Sequence, residues 1–197
     1  AHGALAAALT DRAEERLHHL LAAGEADQVA REAASVAREW LRQGRVGAAG
    51  AVLHDALLEV RSRPHAPGEA LLLRIMLEVG VEARSRGAVA AAWMAIDQSS
   101  VSDGLLRTLA QGARLLEAGE WAEATAVLRP WPRHERGWAA RMRGELLARA
   151  ASQLGIDALA SVVDELDQQF GLDPSATSRA WRSRWRGQLA FRRQDFR

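Results

Sequence analysis

Cysteine is absent from the 197 residues, which excludes disulfides, thiolate nucleophiles and zinc–thiolate sites. Lysine is absent as well: all 26 basic residues are arginine. No G-x-x-x-x-G-K-[ST] phosphate loop therefore exists. Tyrosine is missing, only three phenylalanines occur, and β-branched runs are lacking, so strands find little support. No stretch approaches the roughly 18 apolar residues of a membrane span. The alanine-rich start, Ala4 to Leu9, is too short for a signal-peptide core. The expectation is a cytoplasmic chain with no membrane partner.

What is present is helical. Hydrophobic residues make up 48%, alanine first and leucine next, and both are strong helix formers. The net charge of +1 is unevenly spread. Residues 179–197 carry seven arginines against Asp195, or +6, while the remainder has 19 arginines against 24 acids, or −5.

Glycines at the ends of helical patterns suggest a repeat: Gly24, Gly44, Gly87, Gly119 and Gly155. Such a glycine adopts the left-handed conformation that ends one helix and admits the next. Seven residues before the last four lie small residues, Ala37, Gly80, Gly112 and Ala148. Five residues after them lie Ala49, Ala92, Ala124 and Ala160, and nine after lie Leu53, Ile96 and Leu128, with Asp164 breaking the pattern. Close packing of two antiparallel helices explains this: the small residue lets the second helix approach, and the alanine fills the crossing. Segments 61–69, 129–135 and 171–178, each with proline, read as connections.

The spacing predicts an all-α chain of antiparallel helix pairs, about ten or eleven helices in a right-handed superhelical array. Residues 1–197 are read as one helical-repeat domain, and 179–197 as its basic, aromatic, incomplete terminal repeat. GQLAFRRQDFR looks like a first helix turning at Gln194, with Gly187 in the small slot. Both ends look cut, so a fragment of a longer chain is expected.

These positions resemble a degenerate tetratricopeptide repeat: the small residue, Trp40 or Leu115 three positions later, the turn glycine, the alanine and the later apolar residue. The usual tryptophan near each repeat's start and the terminal proline are missing. The opening His2-Gly-Ala-Leu5-Ala-Ala-Ala-Leu9 and the string HHLLAAGE from His18 to Glu25 resemble a second pattern. It is the junction where a winged helix leads into helical repeats in STAND-class signal-transducing ATPases, including MalT-like and other LuxR-type bacterial transcriptional regulators. That resemblance covers roughly the first 60 residues. It implies a regulatory repeat domain that captures an inducer or partner and thereby biases the rest of its parent chain.

Chemistry-bearing constellations are sparse. Glu14, Glu15, His18 and His19 make two Glu-His pairs four residues apart, but no third ligand has matching spacing, and no metal is expected. His54, His65 and His134 are isolated and read as surface residues. Serines fall in loop-like clusters without a G-x-S-x-G elbow, and no glycine-rich dinucleotide fingerprint appears. The reading is a non-enzyme without cofactor.

A groove is the better candidate. Counting from the glycines projects a concave face of first helices. It takes Arg31, Ala34, Arg38, Leu41 and Arg42, then Arg74, Leu77, Val81, Arg84 and Ser85, then Leu106, Leu109, Ala113, Leu116 and Glu117. Met142, Glu145, Arg149, Ser152 and Gln153 follow, then Trp181, Arg184, Gln188, Phe191 and Arg192. Its eight arginines suit an acidic protein or peptide, or a small anionic inducer. The competing account pairs them with acids of neighbouring helices. The tail interleaves Trp181, Trp185, Phe191 and Phe196 with arginine. That pattern suits packing against further repeats, self-association through an open seam, or, as the alternative function, nucleic-acid binding.

Overall fold

The computed structural model describes residues 13–23, 26–63, 68–101, 103–132, 135, 137–170 and 176–194. They form ten helices and no strand. The helices are α1 (Ala13–Ala23), α2 (Ala26–Arg42), α3 (Val46–Arg61), α4 (Glu69–Glu82) and α5 (Arg86–Asp97). There follow α6 (Gly104–Ala118), α7 (Trp121–Leu128), α8 (Trp138–Leu154), α9 (Ile156–Phe170) and α10 (Ala176–Gln194). The chain divides into two compact units, Ala1–Asp103 and Gly104–Arg197.

In the first unit, neighbours in sequence pack as neighbours in space, and α4 additionally lies against α2. Helix α2 shows why: Val29, Ala30, Ala33, Ala34, Val36 and Ala37 are buried and recur with helical period, giving one apolar stripe. Asp27 in its first turn and Arg42 in its last complement the helix dipole. Helix α4, touched by α2, α3 and α5, is apolar over most of its circumference, with eight buried residues from Leu72 to Val81. The second unit repeats this plan. Helix α8 packs against α6, α7 and α9, and is buried from Ala140 to Ser152 on nearly every side.

Three of the hairpin turns are the same object. Gly44 N–H donates to Leu41 O (2.9 Å) and Arg45 N–H to Trp40 O (2.8 Å). Gly119 N–H donates to Leu116 O (3.2 Å) and Glu120 N–H to Leu115 O (2.9 Å). Arg84 N–H donates to Val81 O (3.3 Å) and Ser85 N–H to Gly80 O (3.0 Å). This is the Schellman motif, and its central residue is left-handed each time, with φ of 74°, 84° and 50°. The following residue already begins the next helix: its carbonyl accepts from Ala49, Ala124 or Val89 N–H. Ser85 also caps α5 through its side chain, accepting from Ala88 N–H, and the Arg45 guanidinium lies 4.6 Å over the Trp40 ring.

The second turn therefore centres on Arg84 and not, as expected, on Gly87, which lies inside α5. Glycine three residues downstream is the stronger sequence signal, but the backbone uses the arginine. Gly155 also has positive φ (φ 127°, ψ 177°) but joins α8 to α9 as a single residue. Gly24 and the residues after Gln194 lie outside the described part.

The small positions mark close approaches. Ala37, Gly80, Gly112 and Ala148 are all buried. A Cβ on Gly80 would meet Val89 N at 2.8 Å, and one on Gly112 would meet Leu128 Cδ2 at 2.6 Å. With Arg84 as the turn, Gly80 stands four residues before it, in the slot of Trp40 and Leu115, and Val89 stands five after it, in the slot of Ala49 and Ala124.

Candidate functional site

Shifting the second turn to Arg84 changes the face of α4. Its positions equivalent to Arg38 and Arg42 of α2 become Glu78 and Glu82. Arg38 donates from Nε (3.1 Å) and NH2 (3.0 Å) to the two Glu78 carboxylate oxygens, a bidentate pair across α2 and α4. That hydrogen bonding holds the Arg38 guanidinium above its ordinary range; burial opposes it, and the charges of Glu78 and Glu82 add to it. Arg42 pairs along its own helix with Glu39. Arg74 is half-buried and engaged. Leu77 and Val81, expected on the groove, are core residues at 0% and 2% exposure, and Ala34 is buried too. Arg31 and Arg84 are exposed.

The second unit shows the same habit. Arg184 of α10 reaches Glu145 of α8 at 3.6 Å, and Glu145 also holds Arg149 one turn along (2.8 Å). Arg192 donates to the carbonyl of Ser152 (2.6 Å). Arg186 binds Asp167 of α9 (2.7 Å). Of the projected arginines of this unit, Arg184 and Arg192 tie α10 to α8, whereas Arg149 pairs within α8. Leu106, Leu109, Ala113 and Met142 are buried, while Leu116 and Glu117 are half-buried and Gln153 is exposed.

Of the tail aromatics, Trp185 is buried at 3% beneath the Arg184 guanidinium (5.3 Å), and Phe191 is 64% exposed. The Trp181 side chain and Phe196 lie outside the described part.

Sequence reasoning missed Arg143, which is 2% exposed. Its Nε donates to Leu128 O (2.8 Å), NH1 to Gln169 Oε1 (2.9 Å), and NH2 to Arg129 O (3.1 Å) and to Glu165. Four of its five donors are used, and Trp131 lies 5.7 Å from the guanidinium. It caps the C-terminal carbonyls of α7 while holding α9. One signal was available: Arg143 shares a helical stripe with Ala140, Gly144, Leu147 and Ala151, all of them buried. Arg61 does a related task in the first unit, joining Glu69 (2.8 Å) and the Ala95 carbonyl (2.6 Å).

His18 is exposed, and its ring stands edge-on to that of His19, with centroids 5.7 Å apart. No group of three histidines and acids placed to hold a metal occurs among the described residues. None of the described helices is long and apolar enough to cross a membrane. No family model, curated protein or solved structure matches the chain.

Proposed function

We propose that the chain is a non-catalytic, tetratricopeptide-like repeat domain that binds a partner protein or peptide. In this reading it belongs to a larger cytoplasmic regulator of the STAND type, which acts on transcription. The observation that carries the binding role is the triplicated Schellman hairpin, together with first helices that also lie against one another within each unit. Such stacking builds extended surface in place of a closed cleft. The first-helix surface of the first unit alternates in charge, with Arg31, Arg38 and Arg42 beside Glu78 and Glu82, and that suits a protein partner of mixed charge better than a small anion. The parent-class reading rests on the N-terminal resemblance of residues 1–60.

The test places a photo-cross-linking residue at position 31, on α2, or at position 54, on α3, both exposed. The reading expects a protein adduct from position 31 and none from position 54. Equal capture from both positions, or capture of nucleic acid alone, overturns it.

A further inference from the structure

Among the described residues, four buried side-chain atoms have no hydrogen-bond partner: Trp131 Nε1, Gln169 Nε2, Arg182 Nε and Trp185 Nε1. All four are N–H donors, and all belong to the second unit. Arg143, 2% exposed, adds the one N–H that its four bonds leave unused. Buried donors in folded proteins are nearly always satisfied, so each of these calls for an acceptor.

The donors lie together. The pairs of Arg184 with Glu145 and of Arg192 with the Ser152 carbonyl set α8 and α10 parallel and in register. Two residues before the first pair stand Arg143 and Arg182, which puts them at one level. Gln169 accepts from Arg143 (2.9 Å), so its Nε2 is at that level too. The Arg186–Asp167 pair (2.7 Å) joins the end of α9 to the first half of α10, with Gln169 and Arg182 each about a turn from it. The Trp131 ring centre lies 5.7 Å from the Arg143 guanidinium. The connection after α7, and helices α8, α9 and α10, thus bring donors to one end of the unit. Trp131, Gln169 and Arg182 are half-buried, so this end borders solvent.

The charge there is positive. Arg129 (4.0 Å) and Arg143 both face Glu165, and Arg186 faces Asp167. Arg182 makes a fourth guanidinium against these two carboxylates. Adding Glu135, which follows Trp131 in the same connection, still leaves an excess of positive charge. An anionic acceptor fits. Gln169 Nε2 offers two N–H groups, and Arg143, Arg182 and Trp131 offer one each. Together they exceed the roughly four lone-pair sites of a carboxylate, whereas a phosphate group has oxygens for all of them.

We propose that this end of the second unit binds a phosphate group, either free or at the end of a small phosphomonoester. Donor atoms withdrawn from solvent suit a terminal phosphate that can insert, not the bridging phosphates of a nucleic acid. The site lies outside the first-helix surface proposed above, and its failure leaves the cross-linking result at position 31 standing.

The test is isothermal titration of the full chain with inorganic phosphate, glycerol phosphate and acetate at fixed ionic strength. One phosphate or phosphomonoester binds per chain with a Kd of about 1 mM or below, and acetate does not compete. The tighter of the two phosphates tells whether the site serves the free ion or a monoester. Gln169→Glu keeps an acceptor for Arg143 but replaces the amide N–H groups with a carboxylate oxygen. It weakens phosphate by roughly a hundredfold, through lost donors and like charge, while circular dichroism shows the helices kept. Trp131→Phe keeps the ring, removes one donor and weakens phosphate by roughly tenfold. No phosphate binding, competition by acetate at equal concentration, or indifference to either substitution overturns the proposal. So does a DNA duplex that displaces the phosphate.

Discussion

Arg38 and Glu78 occupy the same position in two consecutive first helices, six residues before Gly44 and Arg84, and meet through two hydrogen bonds of 3.1 and 3.0 Å. In the second unit, Arg184 of α10 reaches Glu145 of α8 at 3.6 Å. One ion pair thus ties α2 to α4, and another ties α8 to α10. Arg38 is 45% exposed, so a double-mutant cycle with Arg38→Ala and Glu78→Ala should return about 0.5–1 kcal/mol of coupling. The coupling should shrink with added salt; a coupling of zero at low salt would contradict the staple.

Gly112 and Leu128 set the closest approach of α6 and α7. Gly112→Leu should lower unfolding stability in urea by about 1–3 kcal/mol through overpacking, because Leu128 is fully buried and all three of its outer carbons lie within 3.0 Å of the added Cβ. An unchanged midpoint would contradict the close packing.

Arg84 holds φ +50° where its two counterparts are glycine. A left-handed residue with a side chain costs about 1–2 kcal/mol, and glycine gives back part of that through its greater freedom when unfolded. Arg84→Gly should raise stability by about 0.5–1 kcal/mol, and Gly119→Arg should lower it by a similar amount. Thermal melts of the two variants check the signs. A loss on Arg84→Gly would show that the arginine side chain contributes something the turn geometry does not.

Arg143 serves two carbonyls and two side chains from a buried position. Arg143→Met should cost about 3 kcal/mol or more, since the Leu128 and Arg129 carbonyls lose their buried donor. Arg143→Lys should recover little, because one ammonium cannot span the four acceptors that a planar guanidinium reaches. Equal stability of the lysine variant, measured in urea, would contradict this role.

Much of the fold was legible in the sequence for physical reasons. The apolar stripes have helical period, and Gly44 and Gly119 end helices where a left-handed residue is needed. The second turn was not legible, because Arg84 does there what glycine usually does, while Gly87 stands three residues later in a plausible place. That three-residue error took Leu71, Glu78 and Glu82 off the projected face of α4 and put Leu77, Arg84 and Ser85 on it, while Arg74 and Val81 stay on it either way. One surplus groove arginine, Arg84, and the loss of two acids were the result. The pairing of Arg184 with Glu145, or of Arg143 with its carbonyls, depends on which helices lie side by side, and local spacing does not encode that.

The central claim is that the chain binds protein and not nucleic acid. It is tested most directly by titrating the full chain into a labelled DNA duplex of about 20 base pairs at about 0.15 M salt. The account predicts no saturable binding, because Arg184, Arg186 and Arg192 are already committed to Glu145, Asp167 and the Ser152 carbonyl. Submicromolar binding that weakens steeply with added salt would mean that these arginines leave their partners for phosphate, and would contradict the claim.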